Sequence, residues 1–146
     1  MEYIVIEIPQ GRDVVKSLIN LTRSRQAAGI TVLSGNGLVS DVTILTRAIG
    51  FPVERAFNMI SLKGTYINSN IGEASHSLLS MASSNSYFSI FVSNGNQGQV
   101  LGGIVEGKIM AAGVVLITAA LIRKLDYNRL GNVGGNVHEM EDDKLP

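Results

Sequence analysis

The stretch Ile30-Thr-Val-Leu-Ser-Gly-Asn-Gly-Leu-Val-Ser-Asp-Val-Thr-Ile44 decides the fold. Two apolar runs, residues 30–34 and 38–45, flank the triplet Gly35-Asn36-Gly37. Runs rich in Val, Ile and Leu are typical of β-strands, and glycine beside asparagine is typical of the tight turn between antiparallel strands. The stretch therefore predicts a strand, a glycine-rich turn and a second strand, and with them an antiparallel sheet.

Towards the N-terminus, a strand pattern gives way to a helix pattern. Residues 2–9 alternate with period two and place three isoleucines on one side, as in a strand with one buried face. Residues 13–26 carry apolar side chains at helical spacing, which predicts an amphipathic helix lying on the sheet. Asp13 suits the first turn of this helix and Arg23 and Arg25 its last turn, because their charges complement the helix dipole.

Towards the C-terminus, four more segments have the composition of strands: residues 56–67, 87–92, 100–110 and 114–122. The last two form either two strands or one long bent hairpin. The Ser- and Asn-rich residues 68–86 predict a surface loop with a short helical piece at 78–81, and residues 94–99 a polar turn. Residues 125–130 form a short closing segment. The fold class is α+β: a mostly antiparallel sheet with one main amphipathic helix.

Length and charge indicate a single domain followed by a tail. The chain has 146 residues and a mass of 15.6 kDa, which suits one domain. Residues 131–146 combine glycines with four acidic side chains, which predicts a disordered tail after a domain of residues 1–130. The domain is unevenly charged, since the 56 residues 67–122 hold only three charged side chains. Such a segment is buried either in the core or against another subunit.

Composition excludes several classes of protein. With no cysteine, the chain has no disulfides, thiolate nucleophiles or Cys-type metal sites. A formal net charge of zero disfavours a stand-alone nucleic-acid binder, which would need a basic excess. The longest apolar run, residues 109–122, is shorter than the roughly 20 residues that a spanning helix needs. The N-terminus lacks the basic region of a signal peptide, so we expect no membrane association and a cytosolic or nuclear protein.

Residues that could carry catalysis are sparse. His76 and His138 have no second ligand at metal spacing, and Ser34 lacks the G-x-S-x-G order of a nucleophile elbow. A helix start and a turn account for Asp13 and Asp41. We therefore expect no enzymatic activity, no cofactor and no metal.

Glycines and one basic cluster are the remaining features of note. Six glycines are predicted to have structural roles, because glycine tolerates positive φ angles and the close approach of another backbone. They are Gly35, Gly37, Gly98, Gly102, Gly103 and Gly113. The adjacent pair Gly102-Gly103 indicates a bulge or a strand packed tightly against another backbone. Arg23-Ser24-Arg25 is the one basic cluster, and it suits a helix C-terminus better than a nucleic-acid patch. Arg23 and Arg25 are nevertheless the candidates for a weak DNA contact.

Five motifs in order carry a family resemblance. They are Gly11-Arg-Asp-Val, Arg23-Ser-Arg-Gln, the stretch of residues 30–44, Gln97-Gly-Gln-Val-Leu-Gly-Gly-Ile-Val-Glu-Gly-Lys-Ile-Met-Ala-Ala-Gly113 and Tyr127-Asn-Arg-Leu130. Together they closely resemble the PPC domain (plant and prokaryote conserved domain) of the plant AT-hook motif nuclear-localised proteins. The resemblance spans about residues 3–130.

The resemblance implies a homotrimer built on an antiparallel sheet, and a nuclear protein that acts in transcription and chromatin organisation. Its implied partners are further copies of itself, related PPC-domain proteins and transcription factors. In the family, an Arg-Gly-Arg-Pro hook reads the minor groove of A·T-rich DNA, where a short basic element suffices. No such hook occurs in this sequence, so A·T-rich DNA is an expected partner only if a hook is supplied elsewhere.

A second departure falls in the family's Gly-Arg-Phe-Glu-Ile-Leu-Ser-Leu segment. Here it reads Arg55-Ala56-Phe57-Asn58-Met59-Ile60-Ser61-Leu62, and we expect this segment to bind protein partners with altered specificity. On a strand, Phe57 and Met59 would share one face and Asn58 and Ile60 the other. Prokaryotic relatives can carry a His after the paired glycines, where this chain has Ile104, which further disfavours a metal. The alternative function is a small-molecule-binding protein or enzyme that uses clefts between subunits.

Overall fold

The computed structural model describes residues 1–46, 49–53, 55–68, 86–93 and 98–124. These residues form one helix and eight strands: β1 (Glu2–Ile8), α1 (Val14–Ser24), β2 (Gly29–Ser40), β3 (Val42–Thr46), β4 (Ile49–Val53), β5 (Phe57–Ile67), β6 (Ser86–Ser93), β7 (Val100–Glu106) and β8 (Met110–Ile122). No helix in these ranges is long and apolar enough to cross a membrane.

The strands form one sheet in the order β1-β8-β2-β5-β6-β7-β3-β4, and every neighbouring pair is antiparallel. The first and last long strands of the described chain, β1 and β8, lie side by side, so that Val5 is opposite Thr118. The predicted α+β class with an antiparallel sheet and one main helix is therefore confirmed.

Helix α1 begins where Asp13 caps it. The Asp13 Oδ1 atom accepts hydrogen bonds from the N–H groups of Val15 at 3.0 Å and Lys16 at 3.3 Å, which satisfies donors that the helix itself leaves free. The same oxygen accepts from the N–H of Ile109 at 3.4 Å, just before β8. One carboxylate thus starts the helix and ties it to the sheet.

One face of the sheet packs under α1 to form the core. The helix buries Val14, Val15 and Leu18. Against them lie alternate residues of β8, among them Val115 and Ile117. Burial of such apolar side chains away from water is the main driving force of folding. The opposite face of the sheet is not covered by the helix.

The predicted hairpin at Gly35-Asn36-Gly37 is wrong. These residues lie inside the continuous strand β2, where Gly37 is opposite Met59 of β5 on one side and Val115 of β8 on the other. Irregularities in the pairing with β8 near these glycines let the long strand bend without turning back. The chain turns instead at Asp41, whose φ is 53°, and β3 then pairs with β4 and β7 rather than with β2.

Other predictions about the strands are confirmed in part. Residues 100–110 and 114–122 correspond to two strands and not to a bent hairpin, because β7 lies between β6 and β3 while β8 lies between β1 and β2. Strand β4 was not predicted, because it contains Gly50 and Pro52, residue types that are uncommon inside strands. Most of the predicted loop at 68–86 and the turn at 94–99, together with the segment 125–130 and the tail, lie outside the described residues.

Candidate interaction surface

The face of the sheet turned away from α1 is a broad surface that we call the open face. It consists of the outward-facing residues of six neighbouring strands, β1, β8, β2, β5, β6 and β7. The alternation of β-strands places these residues on one side, as the opposed pairs Tyr3–Ala120, Thr31–Thr65 and Ser89–Ile104 illustrate. No described element packs over this surface.

The open face is rich in exposed apolar side chains. At least 37% of each of the following residues is accessible to water: Tyr3, Val5, Leu33, Leu38, Ile60, Tyr87, Phe91, Val100, Ile104, Val114 and Leu116. The most exposed are Val5 at 74% and Tyr3 at 71%. Among the outward-facing residues of these six strands, only Glu7, Lys63 and Glu106 are charged. Exposed apolar side chains in this number, with so few charges beside them, indicate an interaction site.

The open face accounts for the low charge of residues 67–122. Of the two explanations that the sequence left open, burial in the core holds for alternate residues such as Ile90 and Ile117. Their neighbours Phe91 and Leu116 are exposed on the open face instead. Sequence reasoning allowed for a contact surface within residues 67–122 but did not extend it to β1, where the apolar residues Tyr3 and Val5 were a usable signal.

The segment Arg55–Leu62 divides between the two sides of β5. Phe57 is half-buried against the core and Met59 and Leu62 are buried. Residues Arg55, Ala56 and Asn58 are exposed, and so is Ile60. A pairing irregularity between Met59 and Ser61 displaces Ile60 and lets Met59 and Leu62 both reach the core. Arg55, Ala56 and Asn58, which stand where the family has Gly, Arg and Glu, are therefore all accessible to a partner.

Four of the predicted structural glycines have crowded surroundings: Gly35, Gly37, Gly102 and Gly103. A Cβ atom on Gly35 would lie 2.8 Å from Ile117 Cδ1 and 3.0 Å from Leu62 Cβ. Gly37 has a φ of 136°, and a Cβ there would lie 2.6 Å from the Val114 carbonyl oxygen. Both residues allow β2 to lie close to its neighbours. A Cβ on Gly102 would overlap the ring of Phe91, which lies across it on the open face.

The remaining glycines differ from one another. A Cβ on Gly103 would overlap the carbonyl oxygen of Leu45 on β3, whereas Gly113 makes only an ordinary contact with Leu38. Gly98 has a φ of 64° and open space around it. No bulge interrupts the pairing of β7 with β6 at the Gly102-Gly103 pair; the strand packs tightly there instead.

The two arginines of the basic cluster lie apart from the open face. Arg23 is exposed in the last turn of α1, and Arg25 follows as its C-cap. The guanidinium of Arg25 forms an ion pair with Glu2, with 3.3 Å between Nη1 and Oε2. Both side chains of this pair are at least half exposed, so it contributes little to stability.

One cavity of about 650 Å³ lies near the start of α1. Its lining is Val15, Leu45, Ser86, Phe88, Ile104, Val105, Glu106 and Gly107. The alternative function was expected to use clefts between subunits, whereas this cavity is lined by residues of a single chain. No group of three metal-ligating side chains is found in the described ranges, and His76 and His138 both lie outside them.

Solved structures share this fold at low sequence identity. A hypothetical protein from Salmonella has a TM-score of 0.66 and 15% identity, with 83% of this chain and 78% of that chain covered. A plant- and prokaryote-conserved (PPC) protein from Pyrococcus horikoshii has a TM-score of 0.62 and 16% identity, covering 83% and 79%. A one-helix antiparallel sheet of the PPC type is the class of fold that these likenesses define.

The family follows from the sequence comparison. Residues 1–122 match the model of the Plants and Prokaryotes Conserved (PCC) domain, and the chain belongs to this family, as its five motifs indicated. AT-hook motif nuclear-localized protein 17 of Arabidopsis thaliana is 33% identical over 131 residues, which cover 86% of this chain and 45% of the relative. Protein 28 of the same series is 34% identical and protein 22 is 38% identical, with 60% and 38% of those relatives covered. The chain thus spans about half the length of the curated relatives that it matches.

Proposed function

We propose that this chain is a non-enzymatic, homotrimeric PPC domain that acts in transcription regulation and chromatin organisation in the nucleus. Support comes from the curated relatives, which are named AT-hook motif nuclear-localized proteins and match 86% of the chain. The single observation that carries the proposal is the open face, since a surface with so many exposed apolar side chains and so few charges is typical of a site that another molecule covers.

The size of the open face fits self-association. Six strands of about seven residues, at spacings of about 4.8 Å and 3.3 Å, cover roughly 650 Å² in flat projection, near the ~800 Å² per partner of a standard interface. The accessible area of side chains is larger than their projection. Copies of the chain that cover one another's open faces would remove most of the exposed apolar groups from water.

Protein partners are assigned to the exposed part of the segment Arg55–Leu62. Arg55, Ala56 and Asn58 project from the beginning of β5, where transcription factors and related PPC-domain proteins can reach them. These positions differ from the family pattern while the core-facing Phe57 and Leu62 retain it. The fold can therefore persist while partner specificity changes.

Contact with A·T-rich DNA is assigned to a hook supplied by a partner subunit or by sequence outside these residues. The net charge of the chain is zero, and Arg25 is already paired with Glu2. A chain with this charge balance has few basic side chains with which to bind the phosphates of DNA. In this proposal the domain gathers several hooks in one particle, which raises their combined affinity without any new contact to DNA.

Fusing one Arg-Gly-Arg-Pro hook peptide to the N-terminus tests this function. If the domain assembles, the fusion should bind a duplex with several A·T tracts at least about tenfold more tightly than the free hook peptide, since linked sites gain effective concentration. A fusion with Ala-Gly-Ala-Pro in place of the hook is the control and should bind no better than the domain alone. Equal affinities of the hook fusion and the free peptide would contradict the proposal.

A further inference from the structure

The exposed side of α1 carries positive charge only. Lys16, Asn20 and Arg23 lie at positions i, i+4 and i+7 of the helix, so they follow one line along it, and all three are exposed. Arg12, also exposed, lies immediately before the Asp13 cap. No residue of α1 is acidic. We call the three cations Arg12, Lys16 and Arg23 the basic stripe.

The basic stripe has no acidic partner within the described part of the chain. None of its three side chains forms an ion pair there. The carboxylates at the two ends of the helix are already engaged: Asp13 accepts hydrogen bonds from backbone N–H groups, and Glu2 is paired with Arg25. Neighbouring cations repel one another, so an anion from elsewhere would stabilise the stripe.

The zero net charge of the chain conceals two parts of opposite charge. Residues 1–130 contain eleven basic and eight acidic side chains, whereas residues 131–146 contain one basic and four acidic side chains. The four are Glu139, Glu141, Asp142 and Asp143, which we call the acidic segment. Short runs of like charge beyond a domain often serve as interaction tails. The acidic segment therefore matches the basic stripe in charge.

The acidic segment is also close enough along the chain to reach the basic stripe. The carbonyl oxygen of Ile122 accepts a hydrogen bond of 2.7 Å from the N–H of Ala28, so β8 ends near the C-terminal end of α1. Glu139 lies fifteen residues after Lys124, the last described residue. Even a random coil of that length spans about 21 Å on average. The 11 residues of α1 span only about 16 Å, so the whole stripe lies within that distance.

We propose that the acidic segment docks on the basic stripe of α1 and shields it from the phosphates of nucleic acids. Because the segment is tethered, its effective concentration at the stripe is high, and it competes well with a free polyanion. The contact lies on the side of the sheet opposite the open face, so it does not depend on self-association. Part of the low DNA affinity expected of this chain is then a property of the acidic segment.

Two sets of substitutions in the full chain test this contact. The tail variant replaces the acidic segment by amides, with Glu139→Gln, Glu141→Gln, Asp142→Asn and Asp143→Asn. The helix variant combines Arg12→Gln with Arg23→Gln. Arg55→Gln combined with Lys63→Gln is the matched control, because it removes two exposed cations at β5, away from α1. Circular dichroism checks that every protein is folded.

The first measurement is the affinity for a short DNA duplex, by fluorescence anisotropy at about 50 mM salt, where exposed charges are less screened than at physiological ionic strength. The tail variant should bind at least about threefold more tightly than the unchanged protein, a modest gain because each exposed ion pair contributes little. The same four substitutions should give an equal gain in the control background and almost none in the helix variant. Equal gains in all three backgrounds would show that the segment acts through net charge without docking. No gain in the unchanged protein would show that it does not shield the stripe.

The second measurement uses Lys16, which every one of these proteins retains, as a direct reporter. A water-soluble carbodiimide couples a carboxylate to a lysine amine in contact with it, and mass spectrometry locates the joined peptides. Coupling of the acidic segment to Lys16 is expected in the unchanged protein and in the control. It should fall severalfold in the helix variant and at high salt, because both weaken attraction between exposed charges. Absence of this coupling, or equal coupling in the helix variant, would overturn the proposal.

Discussion

The carbonyl oxygen of Leu45 on β3 occupies the space in which a Cβ atom on Gly103 of β7 would lie. These strands pair directly, since Ile104 is opposite Leu45. The obstruction is backbone, which cannot swing aside as a long side chain could. Gly103 therefore sets how closely β3 approaches the rest of the sheet, and β3 in turn is the connection to β4.

Substituting Gly103 by alanine should destabilise the protein by about 1–3 kcal/mol, the usual cost of overpacking. Gly113→Ala is the matched control, because a Cβ there would lie 3.4 Å from Leu38 Cβ, an ordinary contact. Its free energy of unfolding should change little or increase by about 0.4–1 kcal/mol, because alanine restricts the unfolded chain. Urea unfolding at one fixed protein concentration measures both, and equal midpoints would contradict this role of Gly103.

The cap at Asp13 supports a second prediction about stability. Asp13→Ala removes the acceptor of three backbone N–H groups, those of Val15, Lys16 and the buried Ile109, and should cost about 1–3 kcal/mol. Asp13→Asn keeps an oxygen in the same place and should cost less than half as much. Thermal unfolding followed by circular dichroism ranks the two variants. Equal losses would show that charge rather than the acceptor geometry matters.

The helix and several strands were predictable because their signals are local. The apolar period of α1, the alternation of β1 and the apolar runs of β5 and β6 can each be read within about a dozen residues. The bounds agree within a few residues; α1, for example, ends at Ser24 where the pattern suggested residue 26. Period and composition suffice for elements of this kind.

Pairing between strands was not predictable in the same way. Gly35-Asn36-Gly37 has the composition of a turn, but β2 lies between β5 and β8, and glycines are needed there for close approach to residues such as Leu62 and Val115. That requirement comes from residues far along the chain. The full extent of the open face was not predictable for a related reason, since whether Tyr3 or Ile4 is exposed depends on which side of the sheet α1 covers.

A third prediction concerns partner specificity. Restoring the family residues with Ala56→Arg and Asn58→Glu should strengthen binding to the partners of hook-bearing relatives, because loss of one charge from a buried interfacial pair costs about 2–5 kcal/mol. Both positions are exposed, so the melting temperature should stay within a few degrees. Calorimetric titration of a relative's partner with both forms measures the difference. No gain in affinity, or unfolding of the double variant, would remove the segment from the partner site.

The fourth prediction is that this chain alone binds DNA only weakly. With zero net charge and only small basic clusters such as Arg23 and Arg25, its affinity for duplex DNA should be low and nonspecific, with a Kd of about 10⁻⁴–10⁻⁶ M that weakens steeply with salt. Changing both arginines to glutamine should reduce this binding further while leaving α1 intact. Fluorescence anisotropy with A·T-rich and G·C-rich duplexes provides the measurement. A submicromolar complex that prefers A·T at about 150 mM salt would contradict it.

In the proposed homotrimer, further copies of this chain cover the open face. Light scattering after size exclusion, over protein concentrations from about 1 to 100 μM, tests this arrangement most directly. The mass of a weak assembly falls on dilution, whereas the mass of a stable assembly stays constant. We expect a constant mass of about three times 15.6 kDa. A clean monomer across that range would contradict it.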